Sequence, residues 1–411
     1  MNNAYPYRKL INDYWFQTVE NPQSFDECDQ YLDGKIKSIP EGKSFMFFTD
    51  THNKCGYAGQ TPAIMGYITE TTGIKKVISG SDFLDREATR YIGVQYLMKA
   101  INEHVAVSGK DLIMVFGNHD VNTANAPEDK VKEMLIPYTE LEKVLFNHME
   151  GRVTEDITKR FDLSECTEED KTEILAFSRL HYYVDDDETK IRYIIVETGN
   201  QFEYERNGCI SNYFDVYNNE DLVLQYDWLY ETLMSTPEDY DVVVSGHALL
   251  GYGAGAEKIW PGPLGLCHIL SGFKTCSKIS VENPFPYYEK LAKYYAKGEH
   301  VYDFTSRRHK SNVVVIAGDV HWDVQTKADY DENGNFVSSP YVPGKELPET
   351  AVVVNVVQTD GMGSCNYLEK TYKMQKGTIT EQCFDVVTVL PNGNIKLTRI
   401  GAGENREVLY K

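Results

Sequence analysis

The chain has 411 residues, of which 42% are hydrophobic, and its 41 basic and 62 acidic side chains give a formal net charge of −21. This much apolar material excludes a disordered chain, and the length fits one large domain with inserts or one domain with a small appendage. The acidic balance argues against extended nucleic acid as a partner, because that mode of binding needs clustered basic side chains.

The first residues lack the apolar stretch of a signal peptide, and no run of about 18 apolar residues occurs anywhere in the chain. We therefore expect a cytoplasmic protein without a membrane span. The eight cysteines include no CxxC pair, so we expect free thiols rather than a disulfide framework.

Short apolar runs that each stop at a polar cluster predict strands buried on both faces. In chain order, the polar clusters that follow these runs are 49–52, 79–82, 117–120, 245–247 and 318–321. Apolar residues at helical spacing predict helices at 90–105 and 222–234. The alternation of strands and helices predicts an α/β architecture.

Two longer stretches, near 122–190 and 251–310, interrupt this rhythm. Both follow a polar cluster, and long loops inside a compact domain are often functional, so we expect them to rim an active site. We expect 1–43 to be an extension packed on the domain and 44–330 to be the core with its inserts. The remainder, 331–411, is predicted to be β-rich and to complete the same domain.

The polar clusters contain residue types that bind metal ions. Asp50 and His52 are two positions apart, as are Asp319 and His321, and side chains with this spacing share one side of an extended strand. Clusters gathered at one edge of a sheet would converge in the crevice where open α/β sheets bind ligands. Carboxylates, imidazoles and an amide without a thiolate suit Mn²⁺, Fe or Zn²⁺.

The clusters also have a characteristic order. They are Asp50-Thr51-His52, Gly80-Ser81-Asp82-Phe83-Leu84-Asp85, Gly117-Asn118-His119-Asp120, Gly246-His247 and Gly318-Asp319-Val320-His321. In type and order they resemble the motifs of the calcineurin-like metallophosphoesterase superfamily, over residues 45–323. The resemblance implies the calcineurin-like phosphoesterase fold, in which two mixed β-sheets form a sandwich flanked by helices, here with inserts.

The resemblance also implies roles for the matching residues. The implied ligands of a first metal are Asp50, His52 and His321, with Asp82 as a carboxylate that bridges to a second metal held by Asn118 and His247. His119 would contact the phosphate and protonate the leaving oxygen, and Asp120 would orient His119. The implied reaction is hydrolysis of a phosphate ester, with a metal-bridging hydroxide attacking phosphorus in line.

Two residues depart from the family pattern. Ser81 replaces the usual glycine before the bridging Asp82, which is a mild change if the backbone there avoids positive φ. Asp319 replaces the first histidine of the Gly-His-x-His motif. As an oxygen ligand, it would leave two divalent ions and three carboxylates with a net charge of about +1, where a histidine would leave about +2. This favours Mn²⁺ or Mg²⁺ over Zn²⁺. The alternative is that Asp319 does not ligate the metal and instead accepts a hydrogen bond from a ligand.

We therefore predict two divalent metal ions, with Mn²⁺ preferred and Fe, Zn²⁺ and Mg²⁺ left open. The substrate expected is a phosphomonoester, either a small molecule or a phosphoprotein, or a small phosphodiester. The alternative is a catalytically impaired metal-binding or interaction module of the same fold, with Asp319 as the sign of decay. Six histidines without a partner at ligand spacing are predicted to lie at the surface or in the inserts: His104, His148, His181, His268, His300 and His309.

Overall fold

The computed structural model describes residues 20–52, 60–85, 87–123, 127, 129–156, 167–198, 225–250, 258–283, 298–360 and 374–411. Parts of the predicted N-terminal extension and of both predicted inserts lie outside these residues.

Sixteen strands occur in the described parts of the chain. In chain order they are β1 (Lys43–Phe48), β2 (Val77–Ser79), β3 (Leu112–Met114), β4 (Val153–Thr154), β5 (Tyr182–Asp186), β6 (Ile191–Ile195), β7 (Asp241–Ser245), β8 (Lys278–Asn283), β9 (Gly298–Asp303), β10 (Val313–Ala317), β11 (Val324–Tyr330), β12 (Phe336–Pro340), β13 (Val352–Val356), β14 (Cys383–Val389), β15 (Ile395–Gly401) and β16 (Arg406–Val408). The runs predicted as strands before the five polar clusters are β1, β2, β3, β7 and β10.

Eight α-helices occur in the same parts of the chain. They are α1 (Phe25–Ser38), α2 (Gln60–Thr72), α3 (Arg90–Ser108), α4 (Val131–Met134), α5 (Tyr138–Phe146), α6 (Glu168–Phe177), α7 (Tyr226–Met234) and α8 (Pro261–Thr275). The two predicted helices correspond to α3 and α7. None of the described helices combines the length and the apolar character needed to cross a membrane.

The strands form two large mixed sheets and one hairpin-like pair. The first sheet has the order β16-β15-β14-β1-β2-β3, and the second has the order β12-β11-β13-β10-β7-β6-β5-β4, while β8 pairs with β9. The parallel strands are β1 to β3 in the first sheet and β6, β7, β10 and β13 in the second. Because parallel strands end at the same edge, the loops after them gather there.

The two sheets pack face to face, and alternation along the strands shows how. In β10, Val314 and Ile316 belong to the core that also contains Phe45 and Phe47 of β1. Their neighbours Val313 and Val315 belong to a second core, shared with helices α7 and α8. The second sheet is therefore covered on both faces, which explains its continuous apolar runs. The expected architecture, two mixed sheets flanked by helices, is confirmed.

The C-terminal strands join both sheets. Strand β14 pairs with β1 in antiparallel fashion, from Lys43 opposite Val389 to Phe47 opposite Asp385. Strand β13 pairs with β10 in parallel, within the second sheet. The strands after residue 331 thus lie directly beside two of the strands that lead into the polar clusters.

The prediction that His104 lies at the surface or in an insert is wrong, because this side chain is buried in α3, whereas His181 falls within the first predicted insert, 122–190, and is buried there. The His104 ring is stacked on Phe48, with centroids 4.3 Å apart, and its Nδ1 lies 2.8 Å from the carbonyl oxygen of Ala100. The His181 Nε2 atom lies 2.8 Å from a carboxylate oxygen of Glu155, and both side chains are buried. Burial lowers the pKa of His104 to about 4, so the ring is neutral and packs as an aromatic side chain.

Lys274, in the last turn of α8, is buried against the second sheet. Its Nζ lies 3.2 Å from the carbonyl oxygen of Ala351 and 3.2 Å from the centre of the Tyr410 ring. Burial lowers the pKa of Lys274 to about 7, against 10.5 for a free lysine. The folded state binds the Lys274 proton less tightly than the unfolded state does. Burial of this amine therefore lowers the free energy of unfolding by its full amount below pH 7, and the loss shrinks as pH rises toward 10.5.

We predict that Lys274→Met raises the thermal midpoint at pH 6 and that the gain shrinks toward pH 10. The expected gain in the free energy of unfolding at pH 6 is roughly 1–3 kcal/mol. The substitution removes the cost of burying the charge, but losing the contacts to Ala351 and Tyr410 offsets part of that gain. Thermal unfolding at several pH values measures it. The control is Lys310→Met, since Lys310 is an exposed lysine paired with Glu349. An equal gain in both variants, or a gain independent of pH, would contradict the prediction.

Candidate metal centre

The loops that follow β1, β2, β3, β7 and β10 meet where the edges of the two sheets come together. Within the first sheet, the N–H of Asp50 donates to the carbonyl of Ser81 at 2.8 Å, and that of His52 donates to the carbonyl of Asp82 at 3.0 Å. Across the sheets, the N–H of Asp319 donates to Oδ2 of Asp50 at 3.1 Å. The two sheets are thus joined by hydrogen bonds at the level of the predicted ligands.

The predicted ligands adopt a backbone conformation that the sequence argument did not foresee. Strands β1 and β10 end before Asp50 and Asp319, so the premise that the paired ligands share one side of an extended strand is wrong. Instead, positive φ angles occur at Asp50 (56°), His52 (36°), Asp82 (53°), Asp319 (71°) and His321 (65°). Such angles cost roughly 1–3 kcal/mol each for a non-glycine residue and concentrate at functional sites.

Ser81 also has a positive φ, of 71°. The condition under which its replacement of glycine would be mild is therefore not met, and the serine carries a conformational cost that glycine would avoid. Its hydroxyl donates a hydrogen bond to Oδ2 of Asp120, which is a contact that glycine cannot make.

Asp50, His52 and His321 form the first group of side chains. The Nε2 atom of His321 lies 3.2 Å from Oδ1 of Asp50 and 3.1 Å from Nε2 of His52. One ligand atom from each of the three residues lies within 4.8 Å of the other two, which is close enough to hold one metal ion. These are the residues expected to bind the first metal.

Asp82 lies between this group and a second one. Its Oδ2 is 4.0 Å from Nε2 of His52 on one side and 3.1 Å from Nε2 of His247 on the other. Oδ1 of Asp319 is 3.7 Å from the same His247 nitrogen. The buried Asn118 lies on the loop whose backbone donates a hydrogen bond to the Asp82 carboxylate. This intermediate position of Asp82 suits a carboxylate shared by two ions.

The donor and acceptor pattern fits divalent cations. The Nδ1 atom of His52 lies 2.9 Å from the carbonyl of Leu84, and that of His247 lies 2.7 Å from the carbonyl of Gly80. A carbonyl accepts only, so both Nδ1 atoms carry a proton, and in each ring Nε2 is the nitrogen that faces the carboxylates and can ligate a cation. Oδ1 of Asn118 and Oδ2 of Asp319 are buried without a hydrogen-bond partner. Buried acceptor atoms that face one another with neither a donor nor water between them are stabilised by a bound cation.

Burial changes the proton affinities in this cluster. It lowers the pKa of His52 to about 3, which leaves the ring neutral at neutral pH. It raises the pKa of Asp319 to about 6, although the nearby His247 opposes the shift. Burial also acts to lower the pKa of His247, but the negative charges of Asp82, Asp50 and Asp319 outweigh it, so that pKa lies well above its ordinary value.

His119 lies beside the cluster. Its backbone N–H donates to Oδ1 of Asp82 at 2.9 Å, and its ring meets the His52 ring edge-on, with centroids 4.8 Å apart. The Nδ1 atom lies 2.7 Å from the carbonyl of Asp85, which fixes the proton on that nitrogen and leaves Nε2 to act on a ligand.

Asp120 was expected to orient His119, and its carboxylate contacts the backbone that carries Asp82. Its oxygens accept hydrogen bonds from the N–H groups of Asp82 (3.3 Å), Phe83 (2.9 Å) and Leu84 (3.4 Å), in addition to the Ser81 hydroxyl. Burial and the charge of Asp82 raise the pKa of Asp120 to about 6. The contact seen at Nδ1 of His119 comes from the backbone of Asp85.

Two glycines allow the loops to come this close. A Cβ atom at Gly117 would collide with the Asp82 carboxylate, and one at Gly318 would collide with Thr49 Oγ1 and lie 2.5 Å from Oδ2 of Asp50. Thr49 was not predicted, yet its hydroxyl donates to the same Asp50 oxygen at 2.5 Å. Its position directly before Asp50 was the available signal, since a hydroxyl there can reach the neighbouring carboxylate.

No family model and no curated protein matches the sequence, whereas solved structures do. The chain is similar to a dimetal phosphatase from Danio rerio, with 11% identity and a TM-score of 0.44 over 90% of this chain and 100% of that one. It is also similar to TT1561 of Thermus thermophilus, with 10% identity and a TM-score of 0.29 over 55% of this chain and 76% of that one. Both TM-scores lie below 0.5, so the function has to be inferred from the residues of this chain.

We predict that Gly318→Ala weakens metal binding by about 100-fold or more, because the new methyl group must displace Thr49 and Asp50. Isothermal titration with Mn²⁺ measures the loss. The matched control is Gly34→Ala in α1, where a Cβ meets nothing within 4 Å and alanine favours the helix. Metal affinity equal to wild type in a folded Gly318→Ala protein would contradict the prediction.

Proposed function

We propose that the chain hydrolyses phosphate esters by means of two divalent metal ions held between the edges of its two sheets. The observation that carries this proposal is the cluster in which the Nε2 atoms of His52 and His247 face the carboxylates of Asp50, Asp82 and Asp319. Two bound cations would lower the pKa of water and offset the charge on phosphoryl oxygens, which is the chemistry of two-metal phosphoesterases.

In this proposal each group holds one ion. Asp50, His52 and His321 bind the first, Asp82 bridges, and the second is bound by Asn118, His247 and Asp319. Leu84 and Gly80 fix the two histidine rings through their carbonyl groups, which sets the tautomer and raises the basicity of the ligating nitrogen.

His119 is the proposed general acid. The Asp85 carbonyl holds the proton on Nδ1, so the imidazole presents Nε2 on the side of a ligand bound at the cluster. When Nε2 carries a second proton, the His119 imidazolium can donate a hydrogen bond to a phosphoryl oxygen and pass that proton to the leaving oxygen, which leaves the neutral ring with its proton on Nδ1. Asp120 contributes indirectly, by holding the turn that aims Asp82.

The proposed substrate is a phosphomonoester or a small phosphodiester. Two divalent ions with three carboxylates carry a net charge of about +1, which attracts a phosphoryl group locally. The whole chain has a formal charge of −21, which disfavours long polyanions such as nucleic acids. The competing function is that of a module that binds metal without turning over a substrate. The assay with phosphate esters described next distinguishes the two functions.

We predict that the protein with added Mn²⁺ cleaves small aryl phosphates, and that a panel of monoesters and diesters shows which class is preferred. Asp82→Asn should reduce turnover and metal affinity by about 100-fold or more, because the shared carboxylate is lost. The control is Asp111→Asn, since Asp111 is a partly exposed aspartate paired with Lys76.

His119→Gln separates catalysis from metal binding. We expect it to lower turnover by about 10²- to 10⁴-fold while leaving metal content close to that of wild type. No turnover of any ester with any divalent metal, in a protein shown to bind two ions, would instead support the module without activity.

We predict that Asp319 sets a preference for Mn²⁺ over Zn²⁺, because a carboxylate suits harder ions than an imidazole does. Asp319→His should shift the ratio of Mn²⁺ to Zn²⁺ affinity toward Zn²⁺ by about tenfold or more. Competition between the two metals, followed by metal analysis of the protein, measures the ratio. Asp319→Asn is the control, since it keeps an oxygen ligand and removes the charge. Equal ratios in wild type and Asp319→His would show that Asp319 does not bind the metal.

A further inference from the structure

A buried cluster of charged residues lies behind the metal centre. Asp323, two positions after His321, is 9% exposed, and its Oδ1 lies 2.6 Å from Nη2 of Arg399 and 3.1 Å from Nη1 of Arg406. Arg399 is fully buried and also donates to Asp385, from Nε at 2.8 Å and from Nη2 at 3.1 Å. Arg406 completes the set with a second ion pair to Asp385. We call Asp323, Asp385, Arg399 and Arg406 the rear ion cluster.

The rear ion cluster connects the two sheets. Asp323 lies on the loop between β10 and β11 of the second sheet, whereas Arg399, Arg406 and Asp385 lie on β15, β16 and β14 of the first. Arg406 also donates to the carbonyl of Val356 in β13 at 2.7 Å. Two guanidinium groups and two carboxylates balance in charge, so removing one partner leaves a buried charge uncompensated.

Asp323 is connected to two members of the first metal group, His321 and Asp50. Oδ1 of Asp323 accepts the N–H of Gln358 at 3.0 Å, and the next residue, Thr359, donates from its hydroxyl to the carbonyl of Asp50 at 2.6 Å. Asp323 is therefore linked along the chain to His321 and through the 358–359 segment to Asp50. These two ligands carry positive φ angles, so outside contacts have to hold them in place.

We infer that Asp323 and Arg399 are positioning residues for the metal centre, through which the last strands of the chain set the geometry of the Asp50 and His321 ligands. The inference rests on the proposed two-metal site and adds residues that contribute no ligand to it. A cluster that served stability alone would affect metal binding only through unfolding. A positioning cluster changes metal affinity in the folded protein.

The test compares Asp323→Asn with Asp385→Asn. Both substitutions remove one negative charge from the same two arginines, but of the two carboxylates only that of Asp323 also accepts a hydrogen bond from the 358–359 segment that contacts Asp50. Mn²⁺ affinity is measured by titration of the folded proteins, well below their thermal midpoints, and electron paramagnetic resonance reports whether two bound Mn²⁺ ions remain coupled. We expect Asp323→Asn to weaken binding by about 10- to 100-fold and to alter the coupled spectrum, with Asp385→Asn close to wild type. Asp323→Glu, which keeps the charge, should recover part of the affinity.

Wild-type metal affinity in folded Asp323→Asn, or equal weakening in both variants, would overturn the inference. If either aspartate variant fails to fold, Arg406→Lys is measured instead, because Arg406 is 11% exposed. This substitution removes the guanidinium contacts to Asp323 and to the carbonyl of Val356. Its control is Arg192→Lys, because Arg192 is a buried arginine on β6 that pairs with Asp185 on β5, and these strands lie toward the edge of the second sheet opposite β11 and β12. Equal metal affinity in these two lysine variants would overturn the inference as well. Metal affinity is read without substrate, so absence of esterase activity in wild type bears on the proposed function alone.

Discussion

Mutual repulsion between acceptor groups is the constraint on which the rest of this structure depends. The carboxylates of Asp50 and Asp82 and the Nε2 atom of His247 lie within 4.8 Å of one another, away from water. Such a cluster is unfavourable in isolation, both because its charges are desolvated and because they repel. A fold can hold such a cluster only if neighbouring contacts fix each side chain. A cation that binds there relieves the repulsion, and this adds to its binding free energy.

The neighbouring contacts are mostly hydrogen bonds to the backbone. The Asp120 carboxylate accepts hydrogen bonds from the N–H groups of residues 82–84. The carbonyls of Leu84 and Gly80 orient the imidazole rings of His52 and His247. Hydrogen bonds of this kind are strong when one partner is charged and buried. They also account for the left-handed angles at Asp50 and Asp82, because the ligands are drawn out of regular strands into turns whose cost the surrounding sheets offset.

The sequence predicts the location of this site better than its geometry. Apolar runs that end at Gly and Asp identified the strand ends, since burial on both faces leaves a clear pattern. The extended conformation predicted for Asp50 and His52 is wrong, because the residues after a strand are free to leave that conformation. His104 follows Leu97 and Ile101 at helical spacing, a signal of burial that the polarity of histidine obscures. Asp323 and Arg399 are 76 positions apart, and nothing local in the sequence joins them.

Asp319 shows how one loop can serve both halves of the centre. Its backbone N–H donates to Asp50, in the first group, while its carboxylate lies 3.7 Å from Nε2 of His247, in the second. A histidine at this position could keep the backbone contact and change only the side-chain ligand. In the proposed metal centre, the ligand type at position 319 could therefore vary without disturbing the first group, in which Asp50 contacts Thr49 and Thr359, and Asp323 in turn contacts the 358–359 segment. A protein built this way can alter the charge and metal choice of one half of its centre while the other half stays fixed.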